Sequence, residues 1–227
     1  MDVVHERCCG LDIHKQSVVA SLLTPEGRET RRFGTMTRDL LALADWLEEH
    51  GITHVAMEST GVYWKPIYNL FESHDFTLLV VNAHHLKAVP GRKTDVKDAE
   101  WIAQLLRHGL LQASHIPSRA DREVRELVRY RKTLIRERSA EANRVQKVLE
   151  GANIKLASVA SNVLGKSGRA MLDAIIAGTT DAAALAGLAL GRLREKHAQL
   201  ELALEGRVEG HQRWLLGAQL RHIDFLD

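Results

Sequence analysis

The order of strand-like and helix-like segments in the amino-terminal half constrains the fold of this chain most strongly. The segments Cys8–Ile13, Val18–Leu23 and Glu29–Gly34 follow one another with only short polar turns between them, which predicts three antiparallel strands, the third at an edge. Amphipathic helices and further strands then alternate. Helices that lie on the faces of a sheet give an α/β layer structure, which is the fold class we predict.

The alternating part begins with an amphipathic helix, Thr37–His50, which Gly51 ends. A strand at Ile52–Met57, a helix at Val62–His74 and a strand at Thr77–Val81 follow. The basic loop after Val81 leads into another helix, from Asp95 to His108. The sheet-forming domain is therefore predicted to occupy residues 1–115.

Composition excludes several classes of protein. The chain has 227 residues, of which 45% are hydrophobic and 26% charged, as in a folded globular protein. It has no apolar run of membrane-spanning length, and its charged first residues are unlike a signal peptide. The two cysteines, Cys8 and Cys9, are adjacent and cannot form a disulfide framework. We therefore predict a cytoplasmic protein without a membrane partner.

Residues 116–227 are predicted to form a second, helical region. Its longest segment is Arg119–Gly151, in which Leu127, Leu134 and Val148 recur at heptad spacing. This pattern predicts a coiled-coil arm, and such a stripe needs a partner surface, so we expect a homo-oligomer. Another helical segment is predicted at Arg192–Phe225.

Four acidic residues lie where strands and a helix would hold them. Asp12 lies inside the first strand, Glu58 ends the fourth, and Asp95 and Asp98 are three apart at a helix start. All-oxygen sites suit Mg²⁺, and a pair of Mg²⁺ ions about 3.5–4 Å apart supports displacement at phosphorus. We therefore predict a Mg²⁺ site, with Mn²⁺ as a substitute, at these four residues.

Each acid also has a structural explanation. Asp95 could cap the helix with Asp98 in its first turn, and Glu58 could cap the turn that follows its strand. Asp12 is harder to explain in this way, because a carboxylate between Leu11 and Ile13 in a central strand is costly to bury without a partner.

Three motifs carry a resemblance to a known family. Gly10-Leu-Asp-Ile-His-Lys15, Met57-Glu-Ser-Thr-Gly-Val-Tyr-Trp64 and Arg92-Lys-Thr-Asp-Val-Lys-Asp-Ala99 resemble the amino-terminal signatures of the IS110-type transposases, the bridge-RNA-guided recombinases. The resemblance implies an RNase H/RuvC-like domain with a D-E-D-D metal site formed by Asp12, Glu58, Asp95 and Asp98. It also implies a coiled coil used in assembly, a structured guide RNA and DNA recombination.

The same family has a carboxy-terminal transposase domain that supplies a nucleophilic serine. No counterpart of that domain is found in this sequence, so we expect the chain to be truncated before it. Assignment of the serine role to Ser158, Ser161 or Ser167 is not justified.

Basic residues surround the predicted metal site. Lys87, Arg92, Lys93 and Lys97 lie close to the two acids of the helix, and we expect them to contact nucleic-acid phosphates. The alternative of a zinc site at the two cysteines is rejected, because strand pleating sends adjacent side chains to opposite faces.

The predicted function is a DEDD-type DNA transposase or recombinase that binds Mg²⁺ for strand cleavage and exchange guided by RNA. Two alternatives stay open. One is a Mg²⁺-dependent, RuvC-like, structure-specific nuclease in which water attacks. The other is a non-catalytic module for nucleic-acid binding or assembly.

Overall fold

The computed structural model describes residues 2–59, 61–82 and 98–227. The chain forms two compact units, Met1–Pro117 and Ser118–Asp227. The first contains a β-sheet with helices on its faces, and the second is built from helices. Within the described ranges, no helix combines the length and the apolarity that a bilayer crossing requires.

The sheet of the first unit is mixed. Its strands are β1 (Cys8–Ile13), β2 (Val18–Thr24), β3 (Gly27–Phe33), β4 (His54–Glu58) and β5 (Thr77–Val81). They lie in the order β3-β2-β1-β4-β5. β2 is antiparallel to its two neighbours, β1 and β3, whereas β1, β4 and β5 run parallel to one another. The predicted antiparallel start, the edge position of β3 and the α/β class are thereby confirmed.

Helices cover both faces of this sheet because each strand alternates its side chains between two apolar clusters. On one face, α1 (Thr37–Glu49) and α2 (Trp64–Phe71) pack against a cluster that includes Leu11 of β1. On the other face, α3 (Asp98–Arg107) packs against Cys8 of β1 and Ala56 of β4. The residues of β1 that face α3 are therefore Cys8, Gly10 and Asp12.

The second unit consists of helices around their own apolar core. They are α4 (Arg119–Gly151), α5 (Leu156–Val159), α6 (Lys166–Ala177), α7 (Ala182–Ala186), a 3₁₀ helix (Gly191–Lys196), α8 (His197–Leu204) and α9 (Gly210–Leu226). The main contacts of α4 inside this unit are with α9.

The long helix α4 has two halves of different character. Its start is capped by Ser118, whose hydroxyl accepts a hydrogen bond from the Asp121 amide at 3.2 Å. Its buried residues, Glu141, Val145 and Leu149, all lie in the last third. The stripe residues of the first part are exposed instead, with Leu127 at 70%. The coiled-coil interpretation of that part stays a prediction.

Two helical segments differ from their predicted extents. The helix predicted at Val62–His74 is shorter, because a turn with Gly61 at φ +57° precedes Trp64 and the helix ends at Phe71. The segment Arg192–Phe225 is divided between the 3₁₀ helix, α8 and α9. Its break includes Gly206, where an added Cβ would lie 2.5 Å from the carbonyl oxygen of Ala152. Close packing of Gly206 against the end of α4 therefore interrupts the continuous helix that the periodicity alone predicts.

Candidate metal centre

Asp12 lies near the carboxyl end of β1, on the face that α3 covers. Its neighbours Leu11 and Ile13 point into the opposite apolar cluster, with exposures of 0% and 8%. The Asp12 side chain itself keeps 24% of its surface exposed. The strand therefore holds this carboxylate rigidly while leaving it open at one edge of the sheet.

Glu58 lies beside Asp12 because β1 and β4 are parallel and in register. Leu11 pairs with Met57 in this ladder, so the next step along both strands brings Asp12 and Glu58 to neighbouring positions. Ala56, two residues before Glu58, packs in the cluster under α3. Strand alternation places Glu58 on that same face. The two acids thus project from one side at the carboxyl ends of adjacent parallel strands.

Asp98 is the first residue of α3 and is exposed. The helix crosses β1 at Gly10, where an added Cβ would lie 2.3 Å from the Ala99 carbonyl oxygen and 2.4 Å from the Ala103 amide nitrogen. Only a glycine permits the two backbones to approach this closely. This contact fixes the start of α3, and with it Asp98, above the strand that carries Asp12.

The electrostatics of Asp12 show that the three acids share one environment. Partial burial raises the pKa of Asp12, and the negative charges of Asp98 and Glu58 raise it further. His14 opposes this effect, since its Nε2 lies 3.1 Å from Asp12 Oδ2. The structure therefore brings Asp12, Glu58 and Asp98 within electrostatic reach of one another.

The donor set fits a hard cation. Like-charged carboxylates that disfavour each other's ionisation are stabilised when a divalent cation lies between them. Among residues 2–59, 61–82 and 98–227, no group of three or more His, Cys, Asp or Glu side chains lies close enough together to hold a metal ion. Mg²⁺ does not require one, because it commonly takes one or two carboxylates and completes its shell with water and substrate phosphates. An open site of this kind is consistent with phosphate chemistry.

Several predicted site residues lie outside the described residues. Asp95 is one of them, so the fourth acid of the predicted set is not located here. The predicted phosphate contacts also lie there: Lys87, Arg92, Lys93 and Lys97.

His14 and Gly10 are site residues whose roles the sequence reasoning missed. His14 stands two positions after Asp12 and is the first residue beyond β1, and extending the strand alternation by one residue would have indicated that both side chains share one face. Gly10 also stands two positions from Asp12, and a glycine inside a strand often marks a close backbone approach.

The cysteines beside this site are buried. Burial raises the pKa of the Cys8 thiol to about 11, and burial raises that of Cys9 as well. Both thiols are therefore protonated near neutral pH, whereas zinc binds the thiolate.

The strand order, with acids at the carboxyl ends of β1 and β4 and a helix across that face, defines an RNase H-like fold of the DEDD type. The family can also be stated. The chain belongs to the IS110-type DEDD transposases, because the sequence profile of that family, described as a transposase, matches residues 9–154, well over half of the chain. No curated protein sequence matches the chain. Membership of a transposase family implies interaction with DNA and, for the DEDD type, the use of divalent metal ions.

Proposed function

We propose that the unit Met1–Pro117 is the metal-binding part of a DNA transposase, in which Asp12, Glu58 and Asp98, together with Asp95, hold Mg²⁺ at the scissile phosphate. The observations that support the proposal are the parallel ladder of β1 and β4, whose last pair, Leu11 with Met57, directly precedes Asp12 and Glu58, and the charge of Asp98 acting on Asp12. Family membership supports the reaction class.

The roles of the acids follow from the elements that hold them. Asp12 and Glu58 directly follow the last pair of the ladder between β1 and β4, so their separation should change little when substrate enters. Asp98 is held by α3, which packs on β1, so the position of a third acid is also fixed. His14 orients the Asp12 carboxylate through its 3.1 Å contact. Bound Mg²⁺ would neutralise charge that develops on the phosphate oxygens during displacement.

We further propose that a structured guide RNA and a second copy of this chain complete the assembly, in the cytoplasm. The RNA partner is supported by the resemblance to bridge-RNA-guided recombinases. The second copy is supported by the exposed apolar residues of α4, among them Val124, Leu127 and Val128. In this scheme strand exchange requires a nucleophilic serine, which is not assigned to any residue of this chain.

The metal proposal is tested by titrating the purified 227-residue protein with MnCl₂ in a calorimeter. We expect saturable binding by the unsubstituted protein and an affinity lower by more than about ten-fold in the Asp12→Ala/Asp98→Ala double variant. Asp45→Asn is the matched control, because Asp45 is exposed on α1, against the opposite face of the sheet.

Circular dichroism of the three proteins shows whether the double variant remains folded. Unchanged Mn²⁺ affinity in a folded double variant would remove Asp12 and Asp98 from the metal site. Equal losses in the double variant and in Asp45→Asn would assign the binding to general surface charge.

A further inference from the structure

Arg32 lies in the same row of the sheet as Asp12. Asp12 pairs with Val19 across β1 and β2, and Val19 pairs with Arg32 across β2 and β3. Residues paired across adjacent antiparallel strands project from the same face. Arg32 therefore belongs to the sheet face of Asp12, two strands away, or about 10 Å between the backbones.

Contacts of the neighbouring residues support this placement. Thr30 donates its hydroxyl hydrogen to Ser21 Oγ at 2.9 Å, and its Oγ1 also lies 3.4 Å from Oε1 of Glu100 on α3. Thr30 thus faces α3, and Arg32, two residues further along the strand, faces the same way. Arg31 points to the opposite face, where its guanidinium lies 5.1 Å from the centre of the Trp46 ring.

Among the described residues, the positive charge of Arg32 lacks the carboxylate partner that neighbouring arginines have. Arg28 pairs with Glu100 at 3.2 Å, and Arg31 pairs with Glu29 at 2.6 Å. Arg32 is exposed, and the described part of the chain places no carboxylate within ion-pair distance of it. A guanidinium carries five N–H donors, and the hydrogen bond that Arg32 makes within residues 2–59, 61–82 and 98–227 engages one of them.

A hydrogen bond holds this guanidinium at the acidic end of the sheet. Arg32 Nη2 donates to Ser17 Oγ at 2.9 Å, and Ser17 is buried, with 6% of its surface exposed. The Ser17 carbonyl accepts a hydrogen bond from the His14 amide at 2.9 Å, which closes the turn that directly follows the strand of Asp12. Arg32 is therefore held on the sheet face of Asp12, two strands away, before any ligand arrives.

We propose that Arg32 binds a DNA phosphate next to the scissile one and so positions the strand across Asp12 and Glu58. This inference rests on the proposed function, because it takes DNA as the ligand of that sheet face. A guanidinium suits the role, since its planar fork donates two parallel hydrogen bonds to phosphate oxygens. Arg32 is a positioning residue in this arrangement and takes no part in the bond-breaking step.

The test compares DNA binding by the full chain and four variants. Fluorescence anisotropy with a fluorescein-labelled single-stranded DNA, in EDTA and over a series of KCl concentrations, gives the affinity and its salt dependence. We expect Arg32→Gln to bind about ten-fold more weakly and to lower the slope of log K against log salt by about 0.7. Arg32→Lys should restore most of the slope, because it keeps the charge.

Two further variants separate phosphate binding from a structural role. Ser17→Ala removes the same internal hydrogen bond without removing charge, and Arg31→Gln removes an arginine from the opposite face. Both should keep the salt slope of the unsubstituted protein. Arg32 does not bind phosphate if the salt slope of Ser17→Ala falls as far as that of Arg32→Gln. The same conclusion follows if Arg32→Gln keeps the salt slope of the unsubstituted protein.

The outcome also distinguishes this inference from the proposed function. If the unsubstituted protein binds no DNA at any salt concentration, the proposed function is wrong and the role of Arg32 is wrong with it. If the unsubstituted protein binds DNA and Arg32→Gln binds equally well, only the role of Arg32 is refuted.

Discussion

Replacing Gly10 with alanine should damage both the stability of the first unit and the candidate metal centre. The new Cβ would lie 2.3 Å from Ala99 O and 2.4 Å from Ala103 N, and both obstacles are backbone atoms of α3. Ordinary contact begins near 3.4 Å, so the helix must retreat by about 1 Å. Overpacking of this kind costs about 1–3 kcal/mol, a large share of the stability of a typical domain.

The same displacement should reach the site. Asp98 precedes Ala99 directly, so it moves with the helix while Asp12 and Glu58 stay on their strands. We therefore expect Gly10→Ala to lower the urea midpoint and also to weaken Mn²⁺ binding in the calorimeter. Tryptophan fluorescence can follow unfolding, because Trp46 is buried in the core of the first unit.

Gly210→Ala is the control for this experiment. An added Cβ there meets nothing within 4 Å at the start of α9. Its effect should be neutral or stabilising by up to about 1 kcal/mol. If Gly10→Ala unfolds at the same urea concentration as the parent and binds Mn²⁺ equally well, the close contact between β1 and α3 does not position the site.

Two predictions concern the helical unit. Glu141 is buried in α4 and accepts hydrogen bonds at Oε1, from His222 at 3.0 Å and from Arg144 at 2.8 Å, which hold its pKa below the ordinary 4.5. A carboxyl group whose pKa is lower in the folded state stabilises the fold at pH values above its unfolded-state pKa. The free energy of unfolding should therefore fall as the pH drops below about 4.5. Urea unfolding of Glu141→Gln should depend less on pH. A parent pH profile identical to that of Glu141→Gln would contradict this role. Separately, Leu127→Glu should convert oligomer to monomer in sedimentation experiments, because Leu127 is 70% exposed and open to a second copy of the chain. Sedimentation of both proteins as the same species would exclude this stripe from self-association.

Patterning predicted the sheet because its signals are local. The short apolar runs of β1 and β2 and the polar turn between them indicate antiparallel strands without knowledge of the rest of the chain. The placement of Glu58 near Asp12 is different, since it depends on the register between β1 and β4, which β2, β3 and α1 separate along the chain. The sequence suggested that Asp12 and Glu58 meet. The parallel ladder of β1 and β4 is what brings them to neighbouring positions.

Other features depended on contacts that no local pattern contains. The break between α8 and α9 arises where Gly206 packs against the end of α4, more than fifty residues earlier. Arg32 belongs to the sheet face of Asp12 because of two consecutive registers, that of β1 with β2 and that of β2 with β3. Arg31 and Arg32 are the same residue type, so charge and hydropathy do not distinguish them. Strand alternation nevertheless gives their side chains different surroundings.

The uneven burial of α4 implies a gradient of amide protection along one continuous helix. Near Val145 and Leu149 the backbone can exchange hydrogen only when the core of the second unit opens. Towards Val124 and Leu127 the part of the chain that the structure describes forms no such core, and an isolated helical stretch of that length is marginal in water. We therefore expect α4 to fray first at its amino-terminal end. A surface that binds the exposed stripe would supply the free energy that keeps those turns helical.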